Sequence, residues 1–285
     1  MTDPRRKFVQ CVSPAGLHRI AYSEWGDPAN PRVLLCVHGL ARRGSDFDPL
    51  ARALCGEMRV ICPDMAGRGD SDRLADARLY QIPQYVSDVV TLIARLDVPR
   101  LRWFGTSMGG LIGMALAAQA GSPIERMVLN DVGPVVKAAA LQRIGEYLGN
   151  APTFAAMEEA VAYIRTVSAT FGLESDAEWQ HLAHTSVQAV AGGWRLHYDP
   201  AIAVPFREAG AGNADIELWP LYDAITCPVV LVRGAASDLL DRATAQAMTA
   251  RGPRARLIEI PGVGHAPMFW SQPQIALVRD FLVSP

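Results

Sequence analysis

One serine in this 285-residue chain lies in a setting that can make its hydroxyl a nucleophile. Ser107 has Gly105 and Gly109 two residues to either side, in the pattern Gly-Thr-Ser-Met-Gly. An apolar run of strand character precedes it, and an apolar run compatible with a helix follows. A strand that turns into a helix within a few residues strains the residue between them, and glycines remove side chains that would collide there. We therefore expect Ser107 to project from the end of a strand, with N–H groups of the new helix pointing at its ligand.

A serine hydroxyl needs a base to take its proton, and the base needs a carboxylate that holds it in one tautomer. Asp238 follows the predicted strand 229–233, and His265 follows the predicted strand 256–260. The carboxyl ends of parallel strands form the edge at which open α/β sheets bind ligands. The order Ser107, Asp238, His265 therefore predicts a serine–histidine–aspartate site at that edge.

Two other residues compete for these roles. Asp131 follows the predicted strand 124–130 and is the alternative acid, but its Leu-Asn-Asp-Val-Gly-Pro context is typical of a turn in which Asp caps backbone groups. We therefore favour Asp238 as the acid. His38 is the alternative base, and we expect a structural hydrogen-bonding role for it instead.

The elements that must position these residues alternate between short apolar strands and helices, which is typical of a parallel sheet. A hairpin of two strands is predicted at 8–24, at the edge of the sheet. The alternation stops between 135 and 222, where helices are predicted at 138–148, 154–168 and 176–191, and then resumes. We predict an α/β fold with a mostly parallel, doubly wound sheet, a core made of 1–134 and 223–285, and an inserted helical cap at 135–222.

Five motifs each follow a predicted strand, in this order along the chain: His38-Gly39-Leu40, Asp64-x-x-Gly67-x-Gly69-x-Ser71, the turn at Ser107, the loop at Asp238, and Gly264-His265. With these motifs the chain closely resembles the α/β-hydrolase fold family over nearly its whole length. The resemblance implies a Ser107–His265–Asp238 triad. It also implies an oxyanion hole made by the backbone N–H groups of Leu40 and Met108.

The resemblance also limits the classes of reaction that we expect. Serine at this turn disfavours haloalkane dehalogenases and epoxide hydrolases, which use aspartate there. We predict hydrolysis of a small to medium carboxylic ester through an acyl-enzyme, without cofactor or metal. Lactonases, thioesterases and carbon–carbon bond hydrolases are alternatives on the same triad. The last of these usually carry a glycine-rich run after His-Gly and a tryptophan after the base, where this chain has Leu40-Ala-Arg-Arg and Ala266-Pro267. The non-enzymatic alternative is a small-molecule receptor that binds its ligand in the capped pocket.

Four further residues are candidates for substrate binding. Arg42 follows the oxyanion loop and is either a solvated charge or a partner for a carboxylate or other oxygen-rich group of the substrate. Trp194, His197 and Tyr198 lie together in the predicted cap. Their side chains either close over the substrate or hold the cap together, and the sequence favours neither interpretation.

Composition limits the partners. The formal net charge of −2 and the isoelectric point near 6.3 give no basic excess for nucleic acid. The longest apolar run is too short for a bilayer, and the charged N-terminus is not followed by the apolar region of a signal peptide. The five cysteines fit no metal-binding spacing. We expect a cytoplasmic protein, a monomer or small homo-oligomer, with a small-molecule ester as its partner and no nucleic acid or membrane.

Overall fold

The computed structural model describes residues 3–210 and 214–284. Its strands are Arg5–Ser13 (β1), Gly16–Trp25 (β2), Val33–Val37 (β3), Arg59–Pro63 (β4), Leu101–Thr106 (β5), Ile124–Asn130 (β6), Val135–Val136 (β7), Thr153–Phe154 (β8), Val187–Val190 (β9), Gly193–Leu196 (β10), Ile216–Glu217 (β11), Val229–Gly234 (β12) and Arg256–Ile260 (β13). Its α-helices are Asp48–Leu54 (α1), Ile82–Leu96 (α2), Met108–Ala117 (α3), Ala138–Tyr147 (α4), Met157–Val167 (α5), Asp176–Ser186 (α6), Ala203–Gly210 (α7), Trp219–Asp223 (α8), Arg242–Ala250 (α9) and Gln272–Val283 (α10).

The main sheet has eight strands in the order β1-β2-β4-β3-β5-β6-β12-β13. The hairpin β1–β2 forms one edge and pairs antiparallel with β4 through β2, whereas the pairs from β4 to β13 are parallel. The predicted α/β fold, with its mostly parallel, doubly wound sheet, is confirmed. This order places β5, which leads into Ser107, between β3 and β6 near the middle of the sheet.

Strand β3 shows why the centre of the sheet reads as continuous apolar sequence. All five of its residues are buried. Leu35 and Val37 pack into one core cluster, and Leu34 and Cys36 pack into the other, because alternate side chains point to opposite faces. Complete burial of each large aliphatic side chain contributes about 1.5–3 kcal/mol, which holds the strand ends in fixed positions.

The segment 135–222 contains the predicted helices and also strands that were not predicted. Helix α6 ends at Ser186, and β9 and β10 form an antiparallel pair that β8 extends into a three-stranded sheet. The prediction of a helix to residue 191 is therefore wrong at its end. Valines at both ends of β9 favour a strand, and Gly192, with φ of 83°, allows the turn into β10. That 135–222 forms a cap distinct from the core stays a prediction.

In the part of the chain that the structure describes, no helix combines the length and apolarity needed to cross a bilayer.

Candidate active site

Ser107 lies between the last residue of β5 and the first residue of α3. Its backbone has φ of 52° and ψ of −116°, a strained conformation for a residue with a side chain. A side chain at Gly109 would collide with the carbonyl oxygen of Val37, and one at Gly105 would collide with the carbonyl group of Gly109. The Gly-x-Ser-x-Gly pattern is thus explained by close backbone approach on both sides of the turn.

His265 is hydrogen-bonded to this serine. Its Nε2 lies 3.0 Å from Oγ of Ser107, and its side chain is 14% exposed. Thr170, which belongs to the segment 135–222, makes two hydrogen bonds to the loop that carries His265. The Thr170 hydroxyl donates to the His265 carbonyl oxygen at 3.0 Å, and the N–H of Gly264 donates to the Thr170 carbonyl at 2.7 Å. The position of the imidazole therefore depends on both parts of the molecule.

The carboxylate that meets the other side of the imidazole is Asp131. Its Oδ2 lies 2.7 Å from Nδ1 of His265 and also accepts the hydroxyl of Ser237 at 2.6 Å. Its Oδ1 accepts the N–H of Gly234 at 2.8 Å. Asp131 is completely buried, and these donors compensate its charge. The contact with Nδ1 leaves Nε2 of His265 directed at the serine.

The expectation that Asp238 would pair with His265 is wrong. Asp238 is 52% exposed and accepts from Nε of Arg143 at 2.7 Å. In its loop, the preceding residue Ser237 turns toward Asp131 while Asp238 turns outward. Asp131 directly follows β6 and Asp238 follows the neighbouring strand β12, so both lie near the site, and the direction of each side chain decides which one meets His265.

A local signal for Asp131 was present in the sequence. Its backbone has φ of 54°, and Asp and Asn are the residues with side chains that tolerate this region best. The turn-like Leu-Asn-Asp-Val-Gly-Pro context reflects that conformation and is therefore compatible with the acid role as well as with capping.

His38 has the structural role expected of it. It is completely buried, and its Nε2 accepts the N–H of Met65 at 2.9 Å while Nδ1 lies 2.7 Å from the Gly39 carbonyl oxygen. Burial lowers the pKa of His38 to about 4, so the ring is neutral near pH 7. The imidazole thus joins the loop that carries Leu40 to the glycine-rich loop after β4.

Arg68, which the motifs did not identify as a site residue, lies in the glycine-rich loop and is 1% exposed. Its Nε donates to the carbonyl oxygen of Leu40 at 2.9 Å, and its Nη2 lies 3.7 Å from Sδ of Met108. Nη1 donates to the hydroxyl of Tyr85 at 2.7 Å. The contacts of this buried cation are with neutral groups, and they reach both residues of the predicted oxyanion hole. An arginine between Gly67 and Gly69 was the available signal.

Two clefts meet at Ser107, and Leu40 and Ile144 also line both. We call them the His265 cleft and the Met108 cleft. The His265 cleft contains many polar side chains, among them those of His265, Arg42, Asp46, Arg143, Tyr147, Tyr163 and Tyr198. The Met108 cleft is mainly apolar, with Met108, Leu111, Val136, Leu141, Phe206 and Leu239 among its residues.

The four candidate substrate-binding residues fall into two groups. Arg42 and Tyr198 line the His265 cleft. Trp194 and His197 are not among the described residues that line either cleft; Trp194 lies on β10, and Nδ1 of His197 is 2.7 Å from a guanidinium nitrogen of Arg43. The structure therefore brings only two of the four to the serine.

Arg42 is already occupied by partners within the protein. Its Nε and Nη2 donate to the carboxylate of Asp46 at 2.8 and 2.6 Å, and its Nη1 donates to Oγ of Ser186 at 2.6 Å. The ion pair with Asp46 neutralises the guanidinium, and the hydrogen bond to Ser186 joins the loop after β3 to helix α6. These contacts indicate that Arg42 links two parts of the protein and does not bind a substrate carboxylate.

The fold is that of the α/β hydrolases, and the sequence comparison agrees. The profile of the alpha/beta hydrolase family matches residues 34–279, so the chain belongs to that family and is a hydrolase of this fold. It is 55% identical over 288 residues to the 3-hydroxybutyrate-oligomer hydrolase of Cupriavidus necator, with 98% of each chain covered.

Two further relatives agree with this placement. An esterase of Mycobacterium tuberculosis is 29% identical over 242 residues, which covers 80% of this chain and 74% of that protein. The crystal structure of an alpha/beta hydrolase from Novosphingobium aromaticivorans matches with a TM-score of 0.88 at 36% identity, covering 99% of both chains.

Proposed function

We propose that the protein is a serine hydrolase that cleaves carboxylic esters through an acyl-enzyme, with Ser107 as nucleophile, His265 as base and Asp131 as the acid. The observation that carries this proposal is the continuous hydrogen-bonded series from Ser107 Oγ to His265 at 3.0 Å and on to Asp131 at 2.7 Å. Nucleophile, base and orienting carboxylate are the three groups that such a reaction requires.

In this mechanism His265 takes the proton of Ser107 as Oγ attacks the ester carbonyl carbon. The negative charge that develops on the carbonyl oxygen is bound by the backbone N–H groups of Leu40 and Met108. His265 then gives its proton to the leaving alcohol oxygen, and the C–O bond breaks. A water molecule, deprotonated by the same imidazole, releases the acid from Ser107. Asp131 holds the imidazole in the tautomer that each step needs.

For the substrate, we propose short ester oligomers of a hydroxy acid such as 3-hydroxybutyrate. The full-length likeness to the 3-hydroxybutyrate-oligomer hydrolase supports this class. The two clefts support it as well, because an oligomer extends on both sides of the ester bond that is cleaved and needs room on both sides of Ser107.

The test is a substrate panel assayed with the wild type and with Ser107→Ala. The panel contains 3-hydroxybutyrate dimer and trimer, p-nitrophenyl butyrate, a lactone, a thioester and a carbon–carbon hydrolase substrate. We expect the oligomers to be hydrolysed and the Ser107→Ala variant to lose at least about a thousandfold in kcat. Near wild-type turnover by Ser107→Ala would rule out the proposed mechanism. Hydrolysis of only the lactone, the thioester or the carbon–carbon substrate would rule out the proposed substrate class.

A further inference from the structure

The position of His265 indicates which half of an ester occupies which cleft. In the proposed reaction His265 must reach the leaving alcohol oxygen to protonate it. His265 lines one cleft, and it is not among the described residues that line the other. The alcohol half of the ester therefore lies in the His265 cleft. The acyl half, which stays on Ser107, extends along the mainly apolar Met108 cleft.

The His265 cleft contains an arginine that has donors left for a ligand. Arg143 lies on α4, lines this cleft and is 43% exposed. Its contact with Asp238 is made through Nε at 2.7 Å. The guanidinium is also hydrogen-bonded to the Tyr147 side chain. Because a guanidinium has five N–H donors, these two contacts leave donors for a carboxylate. Arg42 in the same cleft differs, because Nε and both terminal nitrogens already donate to Asp46 and Ser186.

Tyr147 lies one helical turn after Arg143 on α4 and lines the same cleft. Burial raises the pKa of Tyr147, and the nearby Arg143 guanidinium opposes that shift without reversing it. The phenol is therefore protonated near neutral pH and is available as a hydrogen-bond donor. Arg143 and Tyr147 together present a cation and a neutral donor on one face of α4, since residues four apart are neighbours on a helix.

We infer that Arg143, with Tyr147 beside it, binds the free carboxylate of the hydroxy acid that leaves, and so selects ester oligomers with an anionic end. This rests on the proposed function. In an oligomer of a hydroxy acid the free carboxylate belongs to the alcohol half of the last ester bond. When that bond is cleaved, the alcohol half is one hydroxy acid, with its hydroxyl oxygen at His265 and its carboxylate at Arg143.

The reaction needs no reagent other than water. The bond from Ser107 Oγ to the acyl carbon forms as the acyl C–O bond breaks, and the serine proton passes through His265 to the leaving oxygen. The hydroxy acid departs with its carboxylate unchanged. Water then cleaves the acyl-enzyme and releases the rest of the oligomer as an acid, which carries the next free carboxylate.

The experiment compares two dimers of 3-hydroxybutyrate, one with a free carboxylate and one capped as the primary amide. For Arg143→Gln we expect KM for the free-acid dimer to rise about tenfold, a typical loss for a charge-assisted contact, with kcat changed less than about threefold. The kinetic constants for the amide-capped dimer should stay within about twofold. The wild-type preference for the free acid should also decrease with added salt, because Arg143 is partly exposed.

The matched control is Arg165→Gln. Arg165 lies on α5, is 42% exposed and, like Arg143, is paired with an aspartate, Asp176. It is not among the described residues of the His265 cleft. The Arg165→Gln substitution should leave kcat and KM for both dimers unchanged. If Arg143→Gln does not fold, Arg143→Lys decides the question: it keeps the charge without the planar guanidinium, and should raise KM several-fold for the free-acid dimer only.

Equal effects of Arg143→Gln on both dimers, or no effect on either, would overturn the inference. If the wild type cleaves neither dimer, the proposed substrate class fails, but the carboxylate site is still tested by calorimetric titration. In that titration 3-hydroxybutyrate should bind the wild type more tightly than its amide does, and Arg143→Gln should remove the difference. Equal binding of the anion by wild type and variant would then contradict the site.

Discussion

Oδ2 of Asp131 lies 2.7 Å from Nδ1 of His265, although the two residues are 134 positions apart in the chain. Asp131 and Ser107 directly follow two neighbouring strands, β6 and β5, whose register brings Thr106 opposite Asn130. The acid and the nucleophile thus follow neighbouring strand ends, and the base reaches both from the loop after β13. The electrostatic environment of His265 is therefore set by a carboxylate that is completely buried and compensated by hydrogen bonds.

The first prediction separates the two candidate acids. Asp131→Asn should lower kcat for p-nitrophenyl butyrate by about 10³–10⁴-fold, because the imidazole loses the carboxylate that holds its tautomer and stabilises its protonated form. Asp238→Asn should change kcat for this neutral ester by less than about threefold, because Asp238 contacts Arg143 and not His265. Steady-state kinetics of both variants check this. The reverse ranking would return the acid role to Asp238.

Arg68 is the subject of the second prediction. Arg68→Gln should lower kcat about tenfold or more with little change in KM, since an interaction made mainly in the transition state affects kcat. The physical reason is that Arg68 contacts both Leu40 and Met108, whose N–H groups are the proposed oxyanion donors. Arg68→Lys, which keeps the charge, should recover part of the loss. A rise in KM at unchanged kcat would contradict this role.

The third prediction concerns the glycine that allows the turn at Ser107. Gly109→Ala should destabilise the protein by about 2–4 kcal/mol, because its Cβ would overlap the carbonyl oxygen of Val37 and a buried backbone must shift. Gly56→Ala is the matched control, since a Cβ there has nothing within 4 Å, and its effect should stay within about 1 kcal/mol. Urea unfolding measures both. Equal stability of the two variants would show that the close approach at Gly109 has little energetic weight.

The fourth prediction is a pH dependence of stability that arises from His38. Burial lowers the pKa of His38 from 6.5 to about 4 in the folded protein, so below pH 6.5 the unfolded chain binds a proton that the folded one does not. Stability should therefore fall as pH decreases from 6.5 to about 4. The loss from this one group is at most about 3–4 kcal/mol, at roughly 1.4 kcal/mol per pKa unit.

Urea unfolding at pH 7.5, 6.5, 5.5 and 4.5 tests this effect in the wild type and in His38→Asn. The variant should be less stable at pH 7.5, because the hydrogen bond that His38 accepts from the N–H of Met65 and its contact with the Gly39 carbonyl oxygen are altered. Its stability should nevertheless fall less steeply with decreasing pH. Parallel curves for the two proteins would place the pH dependence on other groups.

By itself, the sequence determined the α/β fold, the strained serine turn and the positions of Ser107 and His265 in loops at one sheet edge. These follow from local patterns: apolar runs of strand length, glycines at a turn that excludes side chains, and a histidine directly after a strand. The end of α6 was harder to predict, because residues 187–190 have helical and strand potential until pairing with β10 decides between them.

Only the tertiary structure decided which aspartate meets His265, and which arginine in the cleft has donors left for a ligand. Asp131 and Asp238 both follow strands that end at the same edge, so sequence order alone does not distinguish their distances to the imidazole. The sequence indicates Arg42, which follows the oxyanion loop, yet Asp46 and Ser186 already accept from its donors. Arg143 lines the same cleft from helix α4, which the sequence did not indicate. Distances of a few ångströms between loops depend on strand order and side-chain packing, which are properties of the whole fold.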